Sequence, residues 1–204
     1  MGFIFQRMNT YAIYRITETI RVLFFITLSI IVFNFYPITA VMIVLLALFN
    51  DAPIMAIAYD NVAFSNKREK WHMNEVLILS SFLGIIGVFF SFLIFYIGET
   101  VLLLPLGVLQ AFIFLKLAVA GHLTIFVTRT KSYFWSKPRP SGILFWSAVI
   151  TKIVATLIVV YGIFVEPIGW WNAIFIWVYA LLAFILTDLA KVELYKIWGK
   201  RHLS

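Results

Sequence analysis

Long apolar runs alternate with short polar segments along the whole chain. A helix that spans a bilayer requires about 20 mostly apolar residues, and six runs are long enough. They cover residues 13–35, 38–59, 75–97, 101–128, 143–165 and 171–190. This pattern predicts an all-α fold, a bundle of six transmembrane helices within residues 13–190. Short polar ends, 1–12 and 191–204, are expected to lie outside the membrane.

The connections between the apolar runs differ in charge. Segments 34–38, 97–101 and 166–172 contain no Lys or Arg. Lysines and arginines instead cluster at the opposite ends of the runs and near both termini. By the positive-inside rule, both termini are predicted to be cytoplasmic. The net charge of +7 is accounted for by this topology and gives no reason to expect a nucleic-acid partner.

The composition is that of a membrane protein. The chain is 63% hydrophobic and 12% charged, whereas soluble domains are about 45–50% apolar and about 25% charged, so the expected surroundings are the lipid bilayer. There is no cysteine, which excludes disulfides and a thiol nucleophile. The three histidines have no metal-ligand spacing, and no Gly-rich phosphate loop is present. We therefore expect this chain to bind neither metal nor cofactor, and we expect His122 to be a hydrogen-bonded packing residue.

The first two apolar runs are interrupted by charge. The uninterrupted parts, 22–33 and 38–49, have 12 residues each. Each is about 18 Å long, too short for a hydrocarbon core of about 30 Å. Arg21 and Asp51 are therefore drawn into the membrane. Both lie fifteen residues from Tyr36 in the turn, so an antiparallel hairpin places them at the same depth, about 20 Å from the outer surface.

Pro53 adds a second feature to this hairpin. It has no N–H to donate to the carbonyl of Phe49, so the helix is predicted to open at Asn50 and Pro53, beside Asp51. An opened helix with a carboxylate and free carbonyls is typical of a cation or proton site. Asp51 is thus the candidate ion-binding residue, with Arg21 as a facing counter-charge or gate. Alternatively, Arg21 and Asp51 only neutralise each other and fix the helix register.

Other charged residues are weaker candidates. Lys116 lies near the middle of the fourth run and could pair with an acid or extend toward the cytoplasm. Asp60 and Arg15 lie near the cytoplasmic edge of the first hairpin and are expected to form an interfacial pair or a gate. Asp188 and Lys191 are three residues apart near the inner end of the sixth run, which predicts an ordinary ion pair within one helix.

Several stretches resemble one protein family. The chain is similar to the C-terminal half of the plasma-membrane proton pumps, the proton-exporting P-type ATPases of plants, fungi and archaea. The similar stretches are IFQRMNTYAIYRITETIRVLFF, LALFNDAPIMAIAYDNV, KREKW, IFVTRTKSYFW and PIGWWNAIFIWVYALLAF. The resemblance implies that the six spans are the last six of ten membrane helices, in the plasma membrane, and that residues 1–12 end a cytoplasmic stalk. It also implies that Asp51 takes up and releases the proton and that Arg21 opposes proton back-flow.

The chain also departs from that family. The phosphorylation motif DKTGT is absent, as are the nucleotide-binding domain, the actuator domain and the first four membrane helices. No catalytic residue is therefore expected in this chain, and ATP and Mg²⁺ are implied only for the full-length pump. Plant pumps have Gly-Thr at the positions of Ala52 and Pro53, and Lys116 replaces an expected uncharged polar or acidic residue.

These features together predict a proton-translocation module. It would be the membrane half of a P-type proton ATPase, with the missing N-terminal half of the pump as its partner. Two alternatives remain open. One is a stand-alone six-helix cation or proton channel or secondary transporter, and the other is an inactive truncated fragment.

Overall fold

The computed structural model describes residues 2–62 and 73–201, with side chains over 4–62 and 73–198. These ranges contain helices and no strand. The helices are α1 Gly2–Phe33, α2 Ala40–Ala56, α3 Met73–Tyr96, α4 Leu106–Thr128, α5 Gly142–Tyr161 and α6 Gly169–Arg201. A 3-10 turn, Ile57–Tyr59, extends α2, and a π turn, Ile97–Val101, extends α3. Each helix includes a segment long and apolar enough to cross a membrane, which confirms the predicted all-α, six-span architecture.

The helix ends follow local signals. α2 begins at Ala40 because the Thr39 hydroxyl accepts a hydrogen bond from the Met42 N–H at 3.3 Å. α5 ends at Tyr161 because Gly162 adopts a left-handed conformation with φ of 74°. Helices α1 and α6 continue through the predicted polar ends 1–12 and 191–204 as far as Gly2 and Arg201. The KREKW stretch lies outside the described residues.

Helix α4 is the centre of the bundle. In its apolar segment 89% of the residues are buried, against 28–39% in the other five spans. The other helices surround it in the order α1, α3, α6, α5, α2, each packing on the next. Helices α1 and α2 both pack on α4, but they meet each other chiefly through the turn Ile57–Tyr59. Buried Arg21 of α1 and buried Asn50 of α2 therefore both face α4.

The most extensive contact between two of the described helices is that of α1 with α3. It uses a stripe of small residues on one face of α3: buried Ser80, Gly84 and Ser91 and partly buried Gly87. A Cβ atom at Gly84 would lie 2.6 Å from Ile20 Cγ2, and one at Gly87 would lie 2.7 Å from Arg21 Cδ. Small residues let helix backbones approach closely in membranes. The aliphatic stem of Arg21 consequently lies against the backbone of α3.

The ends of four helices meet at Asp60. Its buried carboxylate accepts hydrogen bonds from Arg129 Nε at 2.5 Å and Nη2 at 3.2 Å, and from the Ser141 N–H at 3.0 Å. The Asp60 carbonyl accepts one from Arg7 Nε at 2.9 Å. The predicted pair of Asp60 with Arg15 is therefore wrong. Arg15 is exposed on the outer side of α1, whereas Arg129 directly follows α4 and its planar fork matches the carboxylate.

A second buried ion pair holds the segment after α4 against α6. Lys191 Nζ lies 2.7 Å from Asp188 Oδ1, which confirms the predicted pair. Lys191 also donates to the carbonyls of Val127 at 2.9 Å and Ser132 at 2.7 Å. Asp188 accepts from the Phe134 N–H at 3.0 Å. Every one of these partners lies at the end of α4 or just after it, so the pair fixes how α4 leaves the bundle.

Replacement of Asp60 by Asn tests its role at the helix ends. Asp60→Asn is expected to lower the free energy of unfolding by about 3–5 kcal/mol, because Arg129 would remain buried without its counter-charge. Reversible denaturation in detergent micelles measures this loss. Glu193→Gln is the control, since Glu193 and Lys196 form an exposed pair within α6 and its loss should leave the unfolding midpoint unchanged. Equal midpoints for the two variants would contradict the assigned role.

Candidate functional site

Arg21 and Glu18 form a buried ion pair on α1. The two residues are 2% and 4% exposed and lie on the same face because they are three positions apart. Arg21 Nη2 donates to Glu18 Oε1 at 2.5 Å and to the Leu117 carbonyl at 3.3 Å. Arg21 Nη1 donates to Thr124 Oγ1 at 3.2 Å. The guanidinium thus reaches from α1 to α4, and its charge is neutralised by a residue of its own helix.

Helix α2 contributes Asn50 to this pair. Asn50 is buried, and a Cβ atom on Gly121 of α4 would lie 3.5 Å from Asn50 Oδ1. The same point would lie 3.1 Å from both Arg21 Nη2 and Glu18 Oε1. Three polar side chains from two helices therefore converge where α4 has a glycine. The arrangement agrees with the depth deduced from the hairpin, because Arg21 and Asn50 lie at one level of α4.

Asp51 lies outside this cluster. It is exposed on a face of α2 that it shares with the exposed apolar residues Val44, Leu48 and Met55. The Asp51 carboxylate forms no ion pair or hydrogen bond among residues 4–62 and 73–198. The expected facing pair of Arg21 and Asp51 is thus not the arrangement observed. Consecutive helical residues point about 100° apart, so an inward Asn50 turns Asp51 outward even though Asn50 and Arg21 lie at one level of α4.

The predicted helix break at Asn50 and Pro53 is also wrong. Helix α2 continues through Pro53 to Ala56. Pro53 has no N–H to donate to the Phe49 carbonyl. That carbonyl instead accepts a hydrogen bond from His122 Nε2 on α4 at 3.2 Å. The backbone therefore leaves no free carbonyl at Phe49 for an ion.

His122 joins three helices. Its Nε2 contacts the Phe49 carbonyl of α2, and its Nδ1 lies 3.5 Å from Thr151 Oγ1 of α5. A carbonyl can only accept, so the ring hydrogen is on Nε2. The side chain is fully buried, which confirms the expected role as a hydrogen-bonded packing residue.

Lys116 is buried on the other side of α4. Its Nζ donates to Ser91 Oγ of α3, and the Ser91 hydroxyl donates to the Gly87 carbonyl at 2.8 Å. With an exposed fraction of 1%, Lys116 neither extends to the cytoplasm nor pairs with an acid of the described ranges. A cavity of about 40 Å³ is lined by both Arg21 and Lys116.

Sequence reasoning missed part of the site. Glu18 offered a signal, because an acid three positions before a buried arginine predicts an ion pair within the helix. Pro53 indicated a carbonyl in need of a donor, but nothing in the local sequence identified His122 as that donor. Gly121 carried no signal, since its role depends on which side chains point at it.

Comparisons with known proteins identify several relatives. A protein of Methanocaldococcus jannaschii named "Putative cation-transporting ATPase" is 54% identical over 193 residues, 95% of this chain and 24% of that protein. The "Probable proton ATPase 1A" of Leishmania donovani is 26% identical over 93% of this chain and 24% of its own length. The "Plasma membrane ATPase" of Kluyveromyces lactis is 30% identical over 83% and 18%. The chain thus spans about a quarter or less of these relatives. No family model matches it.

A double-mutant cycle tests the bond between His122 and the carbonyl left free by Pro53. His122→Leu is expected to lower the free energy of unfolding by about 1–3 kcal/mol, because the Phe49 carbonyl loses its donor. Pro53→Ala supplies a backbone N–H to that carbonyl, so in this background His122→Leu should cost about 1 kcal/mol less. Denaturation of the four proteins in detergent gives the coupling energy.

The control for this cycle is Thr156→Val. The Thr156 hydroxyl accepts from Trp177 Nε1 at 3.1 Å and does not contact Phe49, so its effect should not depend on Pro53. Equal costs of His122→Leu with Pro53 and with Ala at that position would show that His122 does not replace the missing amide.

Proposed function

Because the chain belongs to the P-type cation and proton ATPases, we propose that it is the proton-translocating membrane module of such a pump, with Asp51 as the group that carries the proton. The observation that carries this proposal is the position of Asp51. It is a carboxylate with no ion partner among the described residues, on an otherwise apolar helix face, next to a residue of the buried Arg21 cluster. ATP and Mg²⁺ would act on parts of the pump that have no counterpart in this chain.

On this lipid-facing position, Asp51 is stable only if its carboxyl group is protonated or if another part of the protein covers it. It lies eleven residues after Ala40, about 17 Å along α2. A charged carboxylate at the centre of a membrane helix costs about 2.5–3.5 kcal/mol on insertion scales. In the proposed pump, a helix from the part of the relatives that this chain lacks covers the face of Val44, Leu48 and Met55. Asp51 is then neutral while apolar residues surround it, and it ionises when water or a cation reaches it.

Arg21 would drive the release of the proton. In the structure its charge is neutralised by Glu18, and Asn50 Oδ1 lies beside the pair without a donor in the described ranges. A turn of α2 by one residue position, about 100°, would bring Asp51 to the place of Asn50. Arg21 could then exchange Glu18 for Asp51, and a guanidinium near a carboxyl favours its ionised form. The proton would leave as this new pair forms.

The donor set favours a proton over a metal ion as cargo. Calcium takes six to eight oxygen ligands. Among the described side chains there is no group of three or more His, Asp or Glu that could hold a metal, and the one acid of the inner cluster is already bonded to Arg21. A single carboxyl that loses and regains a proton requires no such cage.

The chain is a multi-pass membrane protein, and its proposed setting is the plasma membrane. Both termini would face the cytoplasm, where the Asp60 junction ties the ends of α2, α4 and α5 together. That junction adjoins the side on which the ATP-binding parts of the pump would act. Helix α1, which begins at Gly2, would transmit their motion to Arg21.

A chimera tests the proposal. In it, this chain replaces the matching quarter of the M. jannaschii relative, and the purified protein is reconstituted into vesicles with a pH-sensitive dye. ATP should acidify the lumen of vesicles that contain the unmodified chimera. Asp51→Asn should reduce the rate to that of vesicles without protein, because an amide cannot release a proton, while nucleotide binding is retained.

Glu99→Gln is the matched control. Glu99 is an exposed acid in the outward turn after α3, and its loss should leave the rate unchanged. Acidification by Asp51→Asn at the unmodified rate would remove Asp51 from the mechanism. An unmodified chimera that hydrolyses ATP without moving protons would overturn the choice of cargo.

A further inference from the structure

The cavity between α1, α3, α4 and α6 contains an excess of positive charge. Arg21 and Lys116 both line it. The charge of Arg21 is balanced by Glu18, whereas Lys116 forms no ion pair in the described part of the chain, and its nearest polar contact is the Ser91 hydroxyl. The other buried acid nearby on α6, Asp188, is paired with Lys191. An ammonium group that is 1% exposed is costly without a counter-charge.

The same cavity has unused hydrogen-bond donors. A charged lysine carries three hydrogens, and among the described residues Lys116 Nζ has one acceptor, Ser91 Oγ. Two N–H groups of Lys116 are therefore unused. Arg21 Nε is also buried without an acceptor.

The threonines around the cavity do not supply a counter-charge for Lys116. Thr17, Thr124 and Thr187 line it, and each hydroxyl donates to a backbone carbonyl. The three carbonyls belong to Ser80, Ala120 and Ala183. The threonine oxygens stay close to the cavity as neutral dipoles, and its lining includes no carboxylate.

Size and charge together define the ligand. A volume of about 40 Å³ exceeds the roughly 10–15 Å³ that one water requires. A lining that contains Lys116 and Arg21 but no carboxylate does not suit a metal cation. A ligand that accepts hydrogen bonds and carries one negative charge satisfies both the unused donors and the charge of Lys116.

We propose that this cavity binds a small monovalent anion of the halide type, held by Lys116 and Arg21. The anion supplies the counter-charge that Lys116 lacks, so it stabilises the packing of α4 against α3 and α6. Asn50 and the other residues of α2 do not line this cavity, and the proposed site does not depend on proton pumping by Asp51.

Thermal unfolding of the purified chain in detergent tests this site. The melting temperature is measured in chloride, in bromide and in gluconate at constant ionic strength. Chloride and bromide should raise it in a saturable way, because a ligand that binds the folded state stabilises by mass action. Lys116→Gln keeps a donor for Ser91 but removes the charge. It should raise the half-saturating halide concentration by about 10-fold or more, the effect of losing a charge-assisted hydrogen bond.

Lys152→Gln is the matched control. Lys152 is also a buried lysine, but it lies over the Phe126 ring at 5.6 Å and does not line the cavity. This variant should keep the full halide response. A melting temperature that is equal in halide and gluconate, or a response that survives Lys116→Gln, would overturn the proposal.

A second measurement uses the unmodified chain alone and so does not depend on the folding of a variant. Anomalous diffraction from crystals grown in bromide should show one bromide ion between Lys116 and Arg21. Density for water alone in the cavity would mean that Lys116 is neutral, and the proposed anion site would be rejected.

Discussion

Polar groups buried between membrane helices need partners within the protein, and here α4 supplies several of these partners. Its Leu117 carbonyl and Thr124 hydroxyl accept from Arg21, and its His122 donates to α2. A helix can do this only when other helices cover it, which is why α4 is the most buried span. The positions of α1 and α2 are consequently set by polar contacts to α4 as well as by apolar packing.

That constraint separates two neighbouring residues into different roles. Asn50 faces α4, where its neutral amide adds no charge beside the pair of Arg21 and Glu18. Asp51 faces outward with no partner among the described residues. An aspartate at position 50 would add a second negative charge to a balanced pair, and the desolvation cost of buried charge makes such an excess expensive. The inner cluster can therefore be electrically neutral in this conformation, and the Asp51 carboxylate lies outside it.

Features of single helices could be predicted from the sequence. The length of the apolar runs indicated six spans, and the i,i+3 spacing indicated the pair of Asp188 and Lys191. A rise of about 1.5 Å per residue indicated that Arg21 and the segment of Asn50 and Asp51 lie at a common depth. Features that depend on helix rotation or choice of neighbour could not. Depth left the rotation of α2 undetermined, and the arginine that pairs with Asp60 lies 69 residues away, directly after α4. Such partners follow from the order of helices around α4, which apolar periodicity does not encode.

Pro53 illustrates how a local rule and a tertiary contact combine. The rule that proline frees the carbonyl four residues earlier is obeyed, but His122 takes the place of the missing amide. At this one position of α2, near Asp51, a bond to another helix replaces one hydrogen bond of the backbone ladder. A net loss of about 1 kcal/mol accompanies the breaking of one such hydrogen bond, far less than the cost of unwinding a helical turn. The proposed turn of α2 would then occur near Pro53, while the junction at Asp60 holds the end of the turn that follows α2.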